Sequence, residues 1–278
     1  MLNDANLRYF FEMSKRFLCF CNFALNQMQA NEKNNMIPRK IHFIWIGGGA
    51  VTSQAATFVL WWRKLMPDYQ LVVWDKIRYE AIADKPRYAE EAYAKRKWAF
   101  VCDWLRAYVL YKEGGWYFDS DLQLFRSVDF LSNNRFVSAV EFDRTQYAHH
   151  QKTGEGRVGM QMQAAFLGSE TGHPLLRDIL DFYQHTAFEF QGHETLISPV
   201  IYAQQAEKYG FRYENRVQDL AEGIHLEPSE MVLPYAGWMN QASASAIALH
   251  HCAHSWVNRP WGTDMRLAEF LARRCGLK

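Results

Sequence analysis

The sequence has no excess of charge of either sign: 31 Lys and Arg stand against 30 Asp and Glu, a formal net charge of +1. That balance removes any global electrostatic ground for binding nucleic acid, and no such partner is expected. No stretch reaches the roughly 18 uninterrupted apolar residues needed to cross a bilayer, so no transmembrane helix is expected either. Cysteine is sparse, with only Cys19, Cys21, Cys102, Cys252 and Cys275. An odd count without regular spacing argues against a disulfide framework and suits a reducing compartment. Cys19 and Cys21 form a CxC pair with no second pair to complete a zinc site, and they read as packing residues. Internal repeats, low-complexity tracts and linkers are lacking after Asn35.

What is present is a globular composition, 49% hydrophobic with ten Trp in 278 residues. That length buries a substantial core and suits one α/β domain with elaborations or two small domains. Residues 1–35 stand apart as a helical extension. "LRYFFEMSKRFLCFCNFALNQMQ" is apolar at helical spacing through Phe10, Phe17, Phe20 and Leu25, then yields to polar "ANEKNN". Lys15 and Arg16 before a short apolar stretch read as a poor secretory signal. The same residues read as a helix lying on a membrane face, with peripheral contact through residues 5–28, or as a helix packed on the domain. Residues 36–278 form the expected catalytic domain.

From Lys40 onward, strand and helix signals alternate. "KIHFIWIGGG" is β-rich and closed by three glycines, "TFVLWWRKLM" is helical, and "YQLVVWD" is a second strand ending in Asp75. One long helix is expected from about Tyr88 to Lys112, stopped by Gly114 and Gly115. "WYFD", "RFVSAVEF" and "QAAFLGS" read as strands, followed by a helix from His173 to Phe188. Strand signals recur near Val232 and Ile247, and "DMRLAEFLARRC" reads as a closing helix. Strands separated by helices imply a largely parallel, sandwiched sheet.

Within "EGGWYFDSDLQ", Asp119 and Asp121 flank Ser120. On an extended backbone, residues i and i+2 share a side. If "WYF" is a buried parallel strand, both acids emerge at its carboxyl end, where open α/β sheets place ligands. Paired carboxylates repel, and a divalent cation resolves the repulsion. Mg²⁺ or Mn²⁺ prefers hard oxygen ligands and takes one or two carboxylates while substrate phosphates complete its shell. The same tripeptide is also common as a solvated turn. Upstream, "WAFVCDWLRAYVLYKEGG" puts Asp103 and Arg106 on one helical face, beside an apolar stripe of Ala99, Cys102, Leu105 and Val109. Such a pair is often a surface ion pair of little worth, but this helix feeds through the glycines into the strand bearing the acids. Asp103 would accept hydrogen bonds from sugar hydroxyls, and Arg106 would hold a hydroxyl or a phosphate oxygen.

"IHFIWIGGG", "CDWLRAYVLYKEGGWYFDSD" and "ALHHCAHSW", in that order, resemble the DxD-containing sugar-transferase family. That family, glycosyltransferase family 32-like, includes bacterial capsule and O-antigen transferases and yeast outer-chain mannosyltransferases. The blocks are more distantly similar to the glucosylating domain of the large clostridial toxins. The resemblance covers roughly residues 37–256. It implies a GT-A-type fold: an α/β, Rossmann-like nucleotide-sugar domain with a mainly parallel central sheet and helical additions. It implies Mn²⁺ or Mg²⁺ as cofactor and transfer of a hexosyl group with retention of configuration. By position, Trp45 would stack on the donor base, with Ile46 and Gly47 beside the donor. Asp103 and Arg106 would contact the donor sugar. Asp119 would face ribose and metal-bound water, and Asp121 would ligate the metal. A Trp face and close backbone approach at Gly47 to Gly49 suit a base physically.

In the family a His and a Ser–Trp pair near the C-terminus close over the diphosphate, which would be Ser255 and Trp256 here. His254 replaces the usual glycine, which leaves His250, His251 and His254 as alternatives for the metal; His251 is favoured. In "GMQMQAAFLGSETGHP", glutamines and alanines stand where relatives often carry an Asn near the reacting sugar. "HETLISPVI" resembles an acceptor-side segment, with Glu194 as a polar group there. The expected partners are a nucleotide-sugar donor, UDP before GDP, and a glycan or lipid-linked glycan acceptor. Capsular polysaccharide or lipopolysaccharide synthesis in the cytoplasm, peripheral to the inner membrane surface, is the expected setting. The alternatives are a toxin-like protein glycosyltransferase, a metal-dependent phosphate-ester hydrolase, and a catalytically silent nucleotide-sugar binder.

Overall fold

A computed structural model describes residues 36–47, 49–191, 196–234 and 246–252, all within one unit spanning 36–278. The N-terminal extension (1–35), Gly48, Glu194, His254, Ser255, Trp256, Cys275 and the expected closing helix lie outside the described residues.

Alternation in the short strand β3 (Gly115–Phe118) divides the core in two. Trp116 and Phe118 pack into one hydrophobic cluster and Tyr117 into the other, as a period of two requires. Around it stand β1 (Lys40–Trp45), β2 (Gln70–Asp75), β5 (Phe136–Phe142), β6 (Met160–Met162), β7 (Phe166–Ser169), β8 (Gln218–Asp219) and β9 (Ile224–Glu227). The sheet order is β2-β1-β3-β7-β5-β9-β8, with β6 on β5. The pairings make β1, β2, β3, β5 and β9 run in one direction, while β7, β6 and β8 run against them. The mainly parallel α/β arrangement is thus present, with β7 inserted antiparallel at its middle. Gly168 of β7 pairs with Trp116, and a Cβ there would sit 2.6 Å from the indole, so only glycine admits the ring.

One face is covered by α3 (Arg87–Ala94), α4 (Trp98–Glu113), α6 (Pro174–His185) and α7 (Ser198–Ala206). They follow α1 (Ser53–Leu65) and α2 (Lys76–Glu80), and α5 (Arg144–Thr153) lies between β5 and β6. The other face receives α1 through Phe58 and Trp62, together with a three-stranded sheet of β10 (Val232–Pro234), β11 (Ala248–His250) and β4 (Leu122–Leu124). The single helix expected from Tyr88 to Lys112 is two helices. Lys95, Arg96 and Lys97 break it, with Arg96 at φ +54°. Three consecutive cations repel inside a helix but suit the negative carboxyl end of one. Helix α4 stops at Gly114 (φ +62°), and Gly115 (φ +104°) brings β3 so close to β1 that a Cβ would meet Lys40 O at 2.8 Å. Sequence reading missed α2, α5, α7, β4, β6, β8 and β9, all of them short.

Candidate active site

The two acids do not leave β3 on extended backbone. The Asp119 N–H donates to Ala165 O (3.0 Å), and the Leu122 N–H donates to Asp119 O (2.8 Å), closing a tight turn into β4. Strand β4 pairs antiparallel with β11, placing His250 opposite Leu122. The end of β11 is therefore held against the turn, and the His251 N–H donates to Asp121 O at 3.1 Å. His250 Nε2 lies 3.3 Å from Asp121 Oδ1 and 3.6 Å from Asp119 Oδ2. One ligand atom from each of Asp119, Asp121 and His250 falls within 4.8 Å of the others.

His251, the expected metal ligand, is not in that group; of the two adjacent histidines it is His250 whose ring meets the carboxylates. Successive residues of a strand point to opposite sides. His251 is buried against Phe58, with ring centroids 5.0 Å apart, and its Nε2 is 3.0 Å from Gln123 Oε1. Burial lowers the pKa of His251 to about 4, the state of a neutral core histidine. For His250, burial works against charge, but Cys252 and Asp121 outweigh it and hold the imidazole well above its ordinary value.

Asp103 and Arg106 sit inside the protein, only 7% and 5% exposed, so they are no surface pair. Arg106 Nη2 is 2.9 Å from Asp103 Oδ1, and Nη1 is 3.4 Å from Asp119 Oδ1 and donates to Ala164 O at 2.7 Å. The guanidinium thus ties α4, the turn after β3 and the approach to β7 together, a use of its planar fork that a point charge does not match. The Ser198 hydroxyl donates to Asp103 Oδ1 (2.8 Å). Burial nonetheless pushes the Asp103 carboxyl up to about 6, against the pull of Arg106 and Ser198. The Tyr117 hydroxyl donates to Asp119 Oδ1, and its ring lies 4.9 Å below the Arg106 guanidinium carbon.

These groups line one cleft of about 570 Å³, which also includes Trp45, Ile46 and Gly47. Trp45 stands at the end of β1, its Nε1 donating to Gly49 O at 2.8 Å and its ring stacked on Phe43. A Cβ on Gly47 would come within 3.2 Å of the Trp98 ring, so glycine leaves that indole room at the cleft wall. Of the residues expected at the site, Trp45, Ile46, Gly47, Asp103, Arg106, Asp119 and Asp121 come together. Ser255, Trp256, His254 and Glu194 lie outside the described residues. The cleft adds Trp98, Tyr117, Glu141, Gln163, Ser198 and Cys252. Tyr117 had a legible signal, since it lies two residues before Asp119 and shares its side of β3.

The Asp119–Asp121–His250 group fits a divalent cation. It offers two hard carboxylate oxygens and one imidazole nitrogen within reach of a single ion. A bound diphosphate would supply further oxygens on the open side.

Residues 53–137 match the family described as "Glycosyltransferase sugar-binding region containing DXD motif". That segment contains Asp103, Arg106, Asp119 and Asp121. The DxD-transferase resemblance is thereby supported, and with it the enzyme class, a glycosyltransferase. No curated protein matches the chain. Among solved structures, the PaToxG glycosyltransferase is 17% identical, with 62% of this chain and 69% of that one covered and a TM-score of 0.47. A glycosyltransferase involved in glycosylation of the major capsid of PBCV-1 is 8% identical, covering 83% and 98%, with a TM-score of 0.43. The galactosyltransferase LgtC, in complex with donor and acceptor sugar analogs, is 16% identical, covering 84% and 95%, with a TM-score of 0.40. At TM-scores below 0.5 these likenesses are loose, and the enzyme class is carried by the family match and the site.

Proposed function

We propose that the chain is a divalent-metal-dependent retaining glycosyltransferase that moves a hexosyl group from a UDP-sugar to a glycan acceptor in bacterial surface polysaccharide synthesis. The observation that carries this reading is the meeting of Asp119, Asp121 and His250 in one cleft with Trp45 and the buried Asp103–Arg106 pair.

In this reading Trp45 offers its ring to the base, and the backbone at Ile46 and Gly47 approaches the nucleotide. Asp119, Asp121 and His250 would hold Mn²⁺ or Mg²⁺, whose charge would supply electrostatic stabilisation for the leaving diphosphate. Arg106 fixes Asp119 in place, and the lone pairs left on Asp103 accept hydrogen bonds from donor-sugar hydroxyls. The acceptor oxygen bonds to the anomeric carbon on the leaving-group face as the carbon–oxygen bond to the diphosphate breaks. The acceptor's proton passes to the departing diphosphate. Retention and the preference for UDP rest on the resemblance in the three sequence blocks. The free thiols of Cys102 and Cys252 suit work in the cytoplasm, at the inner membrane surface where lipid-linked acceptors are assembled.

The test is a Mn²⁺-supplemented screen of UDP- and GDP-sugars that reads nucleoside diphosphate release without an acceptor. Release from one UDP-sugar, abolished by chelator, is the expected result. A chain that neither cleaves nor binds any nucleotide sugar in calorimetry would defeat the reading.

A further inference from the structure

Glu141, near the carboxyl end of β5, lines the same cleft, but it is outside the group of three metal-competent residues. It lies opposite Gln161 of β6, and Gln163 follows two residues later on the same side. Both glutamines have partners: Gln161 Nε2 donates to Gln146 Oε1 (3.3 Å), and Gln163 Oε1 accepts from the Ala165 N–H (2.9 Å). The Glu141 carboxylate makes no hydrogen bond or close ion pair with any described residue. Burial pushes its carboxyl up to about 7, with His250 and Asp119 acting in opposite senses. Glu141 is half-buried, so its carboxylate faces the cleft with solvent as its donor, a place that a donor from a bound substrate can take.

Its position along the sheet says which part of a substrate brings that donor. Reading across strand ends, Trp45 ends β1, Asp119 follows β3, Ala164 and Ala165 precede β7, and Glu141 lies on β5. The strand of Glu141 is two strand spacings, about 10 Å, beyond β3 on the side away from Trp45. With the base at Trp45 and the diphosphate at the turn, the reacting end of the cleft comes next. The groups arriving there are hydroxyls, which donate readily to a carboxylate.

We infer that Glu141 is a substrate-reading residue whose carboxylate accepts a hydrogen bond from a sugar-type hydroxyl at the reacting end of the cleft. This rests on the nucleotide-sugar reading of the site. The hydroxyl belongs either to the donor ring or to the incoming acceptor, and the test separates the two.

Calorimetry on the full chain with Mn²⁺ compares UDP with UDP-glucose, UDP-galactose and UDP-N-acetylglucosamine, for the unaltered protein and for Glu141→Gln and Glu141→Asp. If the hydroxyl is on the donor ring, Glu141→Gln leaves UDP affinity within about twofold and weakens the favoured UDP-sugar about tenfold. If it belongs to the acceptor, both affinities hold, and single-turnover hydrolysis, with water in the acceptor's place, slows about tenfold. Glu141→Asp, which keeps the charge but shortens its reach, follows the same pattern and guards against a misfolded amide variant. Unchanged binding and hydrolysis would overturn the inference, as would equal weakening of UDP and UDP-sugar, which would make Glu141 part of the diphosphate site. An unaltered protein that binds neither UDP nor UDP-sugar would remove the nucleotide-sugar reading itself, and this inference with it, through a separate signal.

Discussion

His250 Nε2 stands 3.3 Å from Asp121 Oδ1, although 129 positions separate the two in the chain (250 minus 121). Pairing of β11 with β4 creates the contact, and the same pairing turns His251 into the core.

The two adjacent histidines should therefore fail in different ways. His250→Ala should weaken Mn²⁺ affinity by at least about 10–100-fold. His251→Ala should destabilise the fold by about 2–4 kcal/mol, through a cavity beside Phe58 and a lost partner for Gln123, with metal affinity largely kept. Titration with Mn²⁺ and urea denaturation of both variants checks this. The reverse pattern would return the ligand role to His251.

Asp121→Asn removes a proposed ligand but keeps the shape of the turn, whose closing bond is made by Asp119 O. Without metal, the variant should still fold, losing about 1–2 kcal/mol through the contact of Asp121 with the His250 imidazolium. Added Mn²⁺ should raise the melting temperature of the unaltered protein and not that of the variant, and nucleotide release should be lost. A variant that still shifts with Mn²⁺ would show that the ion sits elsewhere.

The neutral His42 and His173 should each weaken the fold as the solution is acidified below pH about 6.5. Asp103, Glu141, His225 and His250, whose folded pKa values are raised, act in the opposite sense. His42 Nε2–H donates to Gly114 O (2.8 Å) while Nδ1 accepts from Trp74 Nε1–H (3.0 Å). His173 Nε2–H donates to Glu222 O (3.1 Å) while Nδ1 accepts from the Leu175 N–H (3.2 Å). Each ring is fully used as a neutral tautomer, and burial lowers both pKa values. With the folded pKa below the unfolded one, the unfolded chain binds more protons as pH falls. Each histidine then costs up to about 1.4 kcal/mol per pH unit until its folded pKa is reached. From pH 7 to pH 5 the unaltered protein should lose urea midpoint relative to His42→Gln, whose amide keeps both bonds without titrating. Equal slopes in the two proteins would contradict the assignment.

The parts of the site legible in the sequence are those set by local chemistry. Asp103 and Arg106 three residues apart share a helical face whatever that helix packs on, and glycines at 114 and 115 end it beside a strand carrying acids. The parts that escaped are set by long-range pairing. Which of His250 and His251 turns inward depends on where β11 meets β4, and neither three-residue strand fixes that register by itself. Glu141 is the last residue but one of "RFVSAVEF", a run whose apolar character hides the position that opens on the cleft. The turn at Asp119 likewise follows from contacts with Ala165, 46 residues on (165 minus 119), not from the tripeptide.

Arg106 is where fold and site meet, and its removal should show how they are coupled. Arg106→Met should cost about 3–5 kcal/mol, because among the described residues Asp103 then keeps Ser198 alone to stabilise its buried charge. Arg106→Lys keeps the charge but cannot reach Asp103, Asp119 and Ala164 O together, so it should also lose stability and most donor turnover. The decisive variant is the double change Asp103→Asn with Arg106→Met, which leaves no lone buried charge from the pair. It should be more stable than Arg106→Met alone by about 1–3 kcal/mol, the coupling expected of residues in direct contact. It should still fail to cleave a nucleotide sugar, since Asp119 has lost its anchor. Urea denaturation of the four proteins measures that coupling. Simple additivity would mean that the pair does not act as a unit, and that Asp119 is held by the turn and Tyr117 alone.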